Sequence, residues 1–590
     1  MSFVVSCIRL SCCAGALMTA LLAAPALSQQ KPAAPKGTAA AGAAPAPAGP
    51  ARIPASFVPQ ILVPGSHFHG VHGLAFNKDD QLFAGSVVGQ AIYRVNVDGG
   101  DVEIAVDAPN GMADDIAFAP DGTMAWTAFL TGTIYVQRPG QKEARIIATG
   151  LPGINSLAFK TEKDKEPRLF ATQVFLGDAL WEIDLKELKN IERPDFKPVN
   201  YGDGQRRPIM SGIGGLNGFD FGPDGQLYGP LWFRGQVVRI DVDRATMTVV
   251  ADGFKTPAAV NFDRRGNLYV VDTALGQLWQ VNAASGDKSL VATLKPGLDN
   301  LAIDGRDRVF VTSMVDNGIY LIDTATGSWR TIIEGRLAIP GDVAVHSEGE
   351  RETLHLADIF SYRTVDGATG TVTTRLRMQG DALEYPLGAS VNDKHVILTS
   401  WFTNSVQRID RHTGKSIQIL HEFTAPMDAV ETPKGELFVL EAGGNLVKVT
   451  GAEGKERTVI AKDLAAPTAM AEGPGNVVYV SETGTGTIVR IDLGTGARTL
   501  VADNLKGPEG IAMGPDGRLY VAEVGTETVL AIDPKDGTRT EVARNIRMGL
   551  RPTPGLPPAY VVTGVAVGRS GAVYVTSDKR NAIYKLIPQY

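Results

Sequence analysis

Cysteine is nearly missing from this 590-residue chain. Three occur, Cys7, Cys12 and Cys13, all at the N-terminus. A protein without its first 28 residues would hold no disulfide, no thiolate nucleophile and no cysteine-bound metal. Runs of basic residues interleaved with aromatics are also missing, and the formal net charge is -7. That balance gives no general attraction to nucleic acid. No G-x-S-x-G elbow, H-E-x-x-H helix or phosphate loop is present. No stretch is long and apolar enough to read as a transmembrane anchor, and no amphipathic helix stands out.

The N-terminus has the form of a secretory signal over residues 1–28. Arg9 is its single charge, Ala14 to Ala26 is apolar, and Ala26-Leu27-Ser28 offers a small-residue cleavage site. A periplasmic or secreted location is therefore expected. Residues 29–55 are mostly Ala, Pro and Gly and read as a disordered tether, because they cannot bury enough apolar surface to offset ordering entropy.

What is abundant is one phrase. It reads GPDGRLYVAEVGTETVLAID at 514–533, FGPDGQLYGPLWFRGQVVRID at 221–241 and GPGNVVYVSETGTGTIVRID at 473–492. Each copy is a short strand, a Gly-containing turn, a strand rich in Val, Tyr and Leu, a second turn and a third strand. The copies recur at about forty residues, the spacing of four-stranded propeller blades. Twelve first strands begin near His72, Asp114, Asn155, Asn217, Ala258, Asp299, Gly341, Gly388, Met427, Thr468, Glu509 and Thr563. The expectation is an all-β protein of two tandem six-bladed β-propellers with four-stranded antiparallel blades, at 56–325 and 326–590. A single twelve-bladed ring is the alternative. NAIYKLIPQY at 581–590 reads as a third strand with no fourth after it. An open edge invites aggregation, so a strand from elsewhere is expected to complete it. On the two-ring reading, the strand near 58–63 closes blade six and TGSWRTIIEG at 326–335 closes blade twelve.

In such blades the start of strand one and the end of strand two share a rim. The first positions of the first ring are His72, Asp114, Asn155, Asn217, Ala258 and Asp299, while among those of the second only Glu509 is ionisable. Asp114, Asn155, Asn217 and Asp299 are thus expected to bind a divalent cation, Ca²⁺ before others, through hard oxygen ligands. His72 and Asp114 are the candidate catalytic pair. Phe129, Phe175, Trp232, Phe233 and Arg234 follow second strands and are candidate substrate contacts. Arg206, in the long segment 185–215, is expected to reach the same rim as part of a lid or anion clamp. His67 and His69 alternate in sequence and could chelate a metal. Asp358, Glu441, Glu482 and Glu523 recur so regularly that a structural role is expected, each carboxylate bonding the next turn.

These repeats resemble NHL-type propellers and, more narrowly, the senescence-marker-protein and gluconolactonase-like family. The resemblance implies one divalent cation held by a Glu-Gly, an Asn-Gly and an Asp-Gly, each opening an inner strand. The matching residues are Glu509, Asn217 and Asp299, with Glu509 in the other ring. Two readings follow. One is a metal-dependent hydrolase of a small lactone or ester, with a metal-assisted lyase of the streptogramin-linearising kind as a variant. The other is a non-catalytic envelope scaffold presenting its loops to a protein or glycan partner.

Overall fold

The repeat phrase builds sheets because its turns are chemically determined. In GPDGQLY, Asp224 Oδ1 accepts the Gln226 N–H at 3.1 Å, and Asp224 Oδ2 accepts the Tyr228 hydroxyl at 3.0 Å. In GPDGRLY, Asp516 does the same for Arg518 at 3.2 Å and Tyr520 at 2.9 Å. The glycine between them, Gly225 or Gly517, sits at φ +75° or +81°, where a Cβ is unfavourable. Such an Asp-anchored turn reverses the chain between strands one and two.

The computed structural model describes residues 52–590 apart from 187, 452, 554 and 558. The expected signal over 1–28 and most of the tether lie outside the described residues. Among the described residues are twelve sheets, eleven of four strands and one of five. Consecutive strands pair antiparallel within each sheet. Second strands such as Leu268–Asp272 are buried throughout, whereas fourth strands such as Thr246–Ala251 are largely exposed. This gradient from an inner to an outer edge is that of a β-propeller.

First strands touch in two closed cycles. Leu74–Phe76 contacts both Ala113–Phe118 and Leu298–Ile303, so the first six sheets return on themselves. Val343–Glu348 contacts both Gly388–Val391 and Val565–Val567, closing the second six.

The closing strands are not exchanged as expected. Trp329–Glu334 pairs with Gly318–Ile322 and completes the sixth sheet. Ser56–Val63 pairs antiparallel with Ala582–Gln589 and completes the twelfth, from Ser56↔Gln589 to Val63↔Ile583. The first cycle therefore needs no borrowed strand, and the boundary moves from 325/326 to beyond Glu334. Both segments have the composition of an outer strand, so local sequence does not decide between them.

After Val63 the chain crosses from the second cycle to the first, and near Leu337 it crosses back. Two asparagines in equivalent turns hold both crossings. Asn317 Nδ2 donates to Phe68 O at 2.7 Å and Leu337 O at 3.0 Å. Asn581 Nδ2 donates to the same two carbonyls at 2.6 and 3.0 Å. The ion pair Arg377–Asp316, at 2.7 Å, adds a bridge between the cycles.

The regular acids have the structural role expected of them, with one change. Glu441, Glu482 and Glu523 accept the N–H of Thr424, Ala465 and Lys506, each 17 residues back. Asp272 accepts that of Lys255 at the same spacing. The bonded turn therefore precedes the first strand of the same sheet rather than following it. Asp358 likewise accepts from Ala338 and Ile339.

Candidate active site between the two cycles

The first strands open on irregular pairing. Register shifts fall between Ala113 and Ile116, Ile154 and Leu157, and Leu298 and Leu301. Asp114, Asn155 and Asp299 lie inside these interruptions, where a bulge re-aims side chains out of the sheet. These three, with His72 and Asn217, line one cavity of about 100 Å³. Ala258 is buried elsewhere.

His72 Nδ1 donates to Asp299 Oδ2 at 2.9 Å and lies 3.9 Å from Asp114 Oδ1. Its Nε2 is buried without a hydrogen-bond partner. Thr312 Oγ1 donates to the His72 carbonyl at 2.8 Å and fixes the backbone beneath the ring. Asn155 Nδ2 donates to Asp114 Oδ2. Burial opposes the positive charge on His72, but the hydrogen bond and charge of Asp299, with the charge of Asp114, outweigh it and raise its pKa. Asp114 is pushed up to about 8, first by burial and then by the charges of Asp299 and Asp115, against the lowering effect of His72. At neutral pH the cluster therefore holds a proton on Asp114 as well as a polarised imidazole.

Phe129, Phe175 and Trp232 line the same cavity. Phe175 packs edge-on against Trp232 at 5.5 Å. Three other expected contacts are not there. Phe233 does not line the cavity and is 45% exposed. Arg234 turns back to donate to Gly212 O at 3.2 Å. Arg206 pairs with Asp184 at 3.3 Å and stacks on Tyr201. Asp184 follows the far end of Ala179–Ile183, whose mouth end is the Ala179↔Gln173 pair. Arg206 is thus on the opposite rim, and no lid forms from it. His67 and His69 border a separate groove, where His69 Nδ1 shares a hydrogen bond with Tyr93 Oη at 3.3 Å.

Much of the remaining wall comes from the second cycle, and those residues are missing from the sequence reading. Phe360 meets the His72 ring edge-on at 5.4 Å. Tyr385 packs on Phe402 at 4.9 Å, and burial together with the charges of Asp299 and Asp114 raises its hydroxyl pKa. Trp401 Nε1 donates to Tyr560 O at 2.8 Å, while Gln90 Nε2 from the first cycle donates to Tyr560 Oη at 3.1 Å. A signal did exist: Trp401-Phe402 repeats the Trp232-Phe233 pair at the same point of its sheet.

Backbone strain marks the same place. Apart from alanines, the apolar non-glycine residues at positive φ are Phe175, Ile359 and Tyr385, at +67°, +22° and +33°. All three line this cavity. Such conformations cost about 1–3 kcal/mol each and gather at functional sites.

Among the described residues no group of three or more His, Cys, Asp or Glu is arranged to hold a metal. A cation would rest on the oxygens of Asp114 and Asp299 together with the amide oxygens of Asn155 and Asn217. Those four residues border one cavity and have the hard-donor chemistry such an ion takes.

A family model described as outer membrane protein assembly factor BamB matches residues 264–540, a span that runs across both cycles. Virginiamycin B lyase from Staphylococcus aureus is one of the solved structures to which the chain shows similarity. It is 13% identical over 56% of this chain and 94% of that one, with a TM-score of 0.29. The extracellular domain of a hybrid two component system from B. thetaiotaomicron is 10% identical over 90% of this chain and 82% of that one, with a TM-score of 0.31. No curated protein matches. The chain is a β-propeller protein. The matched model is not of the NHL or gluconolactonase kind read from the repeats. No helix among the described residues is long and apolar enough to cross a membrane.

Proposed function

We propose that each cycle of six sheets is one six-bladed propeller and that the cavity between them is the active site of a periplasmic or secreted hydrolase of a small ester or lactone. The observation that carries this is the His72 ring, tethered through Nδ1 to Asp299 with Nε2 buried and unpartnered. In the neutral tautomer that bond protonates Nδ1 and leaves the lone pair on Nε2, the arrangement of a general base. Nε2 takes a proton from water as the water oxygen attacks the carbonyl carbon. Protonated Asp114 donates to the oxygen that gains charge, and the alkoxide leaves with a proton returned from His72. Asp299 orients the imidazole and stabilises its cation. The same base would serve a lyase that removes a carbon-bound proton instead.

A divalent cation on the oxygens of Asp114, Asn155, Asn217 and Asp299 is a second reading, favoured by their shared cavity. Such an ion would polarise a carbonyl and lower the pKa of bound water. A non-catalytic envelope scaffold is the third, favoured by the match to an assembly-factor model.

The test is turnover of a panel of short-chain esters and lactones. The hydrolase reading expects a bell-shaped pH profile. It rises through a histidine limb displaced above 6.5 and falls near 8 as Asp114 loses its proton. His72→Ala should remove about 10²–10⁴ of the rate. Absence of turnover across the panel, with or without added Ca²⁺, would hand the lead to the scaffold.

A further inference from the structure

The inter-cycle cavity has an uneven charge balance. Two carboxylates, Asp114 and Asp299, line it, and among the described residues no lysine or arginine does. Around them stand aromatic faces and edges from both cycles: Phe129, Phe175, Trp232, Phe360, Trp401 and Phe402. Their packing against one another fixes the cage. Phe129 meets Phe175 at 6.2 Å, and Trp401 meets Phe402 at 5.9 Å. The indole N–H of Trp401 is used by the Tyr560 carbonyl, so that ring offers the cavity an apolar surface. An aromatic wall beside carboxylates attracts a soft, weakly hydrated cation, because ring quadrupoles and carboxylates act in the same direction. A neutral ligand gains from the aromatic rings alone, and an anion is repelled.

We infer that the ligand of this cavity is a small organic cation, a quaternary or alkylated ammonium, seated between the aromatic walls with its charge toward Asp114 and Asp299. Size agrees. A cavity of about 150 Å³ takes benzene, so about 100 Å³ seats the ammonium head alone and the rest of choline or acetylcholine lies outside it. The inference deepens the proposed hydrolase reading by naming its substrate class, and it rests on that reading only for the ester, not for the cation.

The test is calorimetric titration of the full chain in EDTA with choline, its neutral isostere 3,3-dimethylbutan-1-ol and the anion 3,3-dimethylbutanoate. Choline is expected to bind at least tenfold tighter than the alcohol, with the anion weakest. Asp114→Asn should cost choline at least fivefold and the alcohol less than twofold, and Trp232→Leu should cost choline at least fivefold and the alcohol less than it costs choline. Trp401→Leu, on the other cycle, covers the case in which Trp232→Leu does not fold. Equal binding of alcohol and choline, preference for the anion, or no choline binding would overturn the inference. Turnover of acetylcholine against 3,3-dimethylbutyl acetate separates the two failures. Equal, His72-dependent hydrolysis of both sinks the cation and leaves the hydrolase. Cation-selective binding with neither ester cleaved sinks the hydrolase and leaves the cation.

Discussion

Two neighbouring acids of the first cycle, Asp114 and Asp115, lie one residue apart and live in different chemistry. Asp115 accepts the N–H of its successor Ile116 at 2.9 Å and of Leu157 in the next sheet at 3.3 Å. Ser156 and Asn300 also donate to it. Asp114 has one amide donor and the imidazole. The second cycle repeats the Asp115 pattern, and its carboxylate at a strand opening, Glu509, is tied to the next sheet by the Thr563 N–H at 2.7 Å. Asp342 accepts from Val343 and Ala389, and Asp428 from Ala429 and Met470. A carboxylate one place further into the strand fastens adjacent sheets. In the first cycle a carboxylate at the strand's opening, freed by the bulge, is left for a ligand. The first cycle thus supplies the polar floor of the cavity and part of its aromatic wall, and the second an aromatic ceiling.

That contrast can be broken most forcefully at the second cycle's edge. Deleting Ser56–Val63 uncovers the strand Ala582–Gln589 and removes Leu62 and Val63, which are 7% and 0% exposed, from the core. At 1.5–3 kcal/mol per buried aliphatic side chain the loss is about 3–6 kcal/mol. Calorimetry should show the second cycle melting earlier while the first keeps its transition. Simultaneous loss of both would show that the cycles unfold as one unit.

At the floor, His72→Ala should cost about 10²–10⁴ in rate, while Asp342→Asn in the second cycle should lower stability and leave turnover within about twofold. If the two exchanged effects, the assignment of floor and fastener would be reversed.

Much of this contrast was legible in the sequence. The strand starts and the convergence of His72, Asp114, Asn155, Asn217 and Asp299 follow from the repeat, because blade geometry carries equivalent positions to one rim. Three things were not. The partner of Ser56–Val63 lies over 500 residues away, and two segments of similar composition competed for the role. The facing of the two cycles depends on crossovers held by Asn317 and Asn581, whose turn chemistry looks ordinary locally. Arg206 was misplaced because its segment folds back along Ala179–Ile183 and ends beside Asp184, one sheet-length from the mouth.

A smaller effect sharpens the same comparison. If a cation binds the floor, Ca²⁺ at a hundredfold excess over its dissociation constant should add about 2.7 kcal/mol to stability. Asp299→Ala should abolish the gain and Glu509→Ala should not. An unchanged melting curve for a chelator-stripped sample given Ca²⁺, Mg²⁺, Mn²⁺ or Zn²⁺ would discard the metal.

One more effect is shared by both cycles. Burial raises Asp114 and Glu509 to about 8, Asp342 to about 7 and Asp115 to about 6. Such a group keeps its proton in the folded chain after losing it in the unfolded one, near pH 4. The folded state binds more protons across that window, so stability falls as pH rises from about 4 to 8. Thermal melts at pH 5 and pH 8 should show the lower midpoint at pH 8. Asp114→Asn and Glu509→Gln should each flatten the slope, one for each cycle.

The pairing of Ser56–Val63 with Ala582–Gln589 also imposes an order in time. The sixth sheet is complete once Glu334 has emerged from the ribosome, so the first cycle can close while the rest is still being made. The other cannot close until the last strand arrives. At 5–20 residues per second, Ser56–Val63 waits roughly half a minute to nearly two minutes for its partner. Chains stalled before residue 582 should therefore carry a protease-resistant first half and a cleavable second. During that interval an unpaired strand edge is open to any extended segment of matching character, and a helper that shields Ser56–Val63 would act at this step.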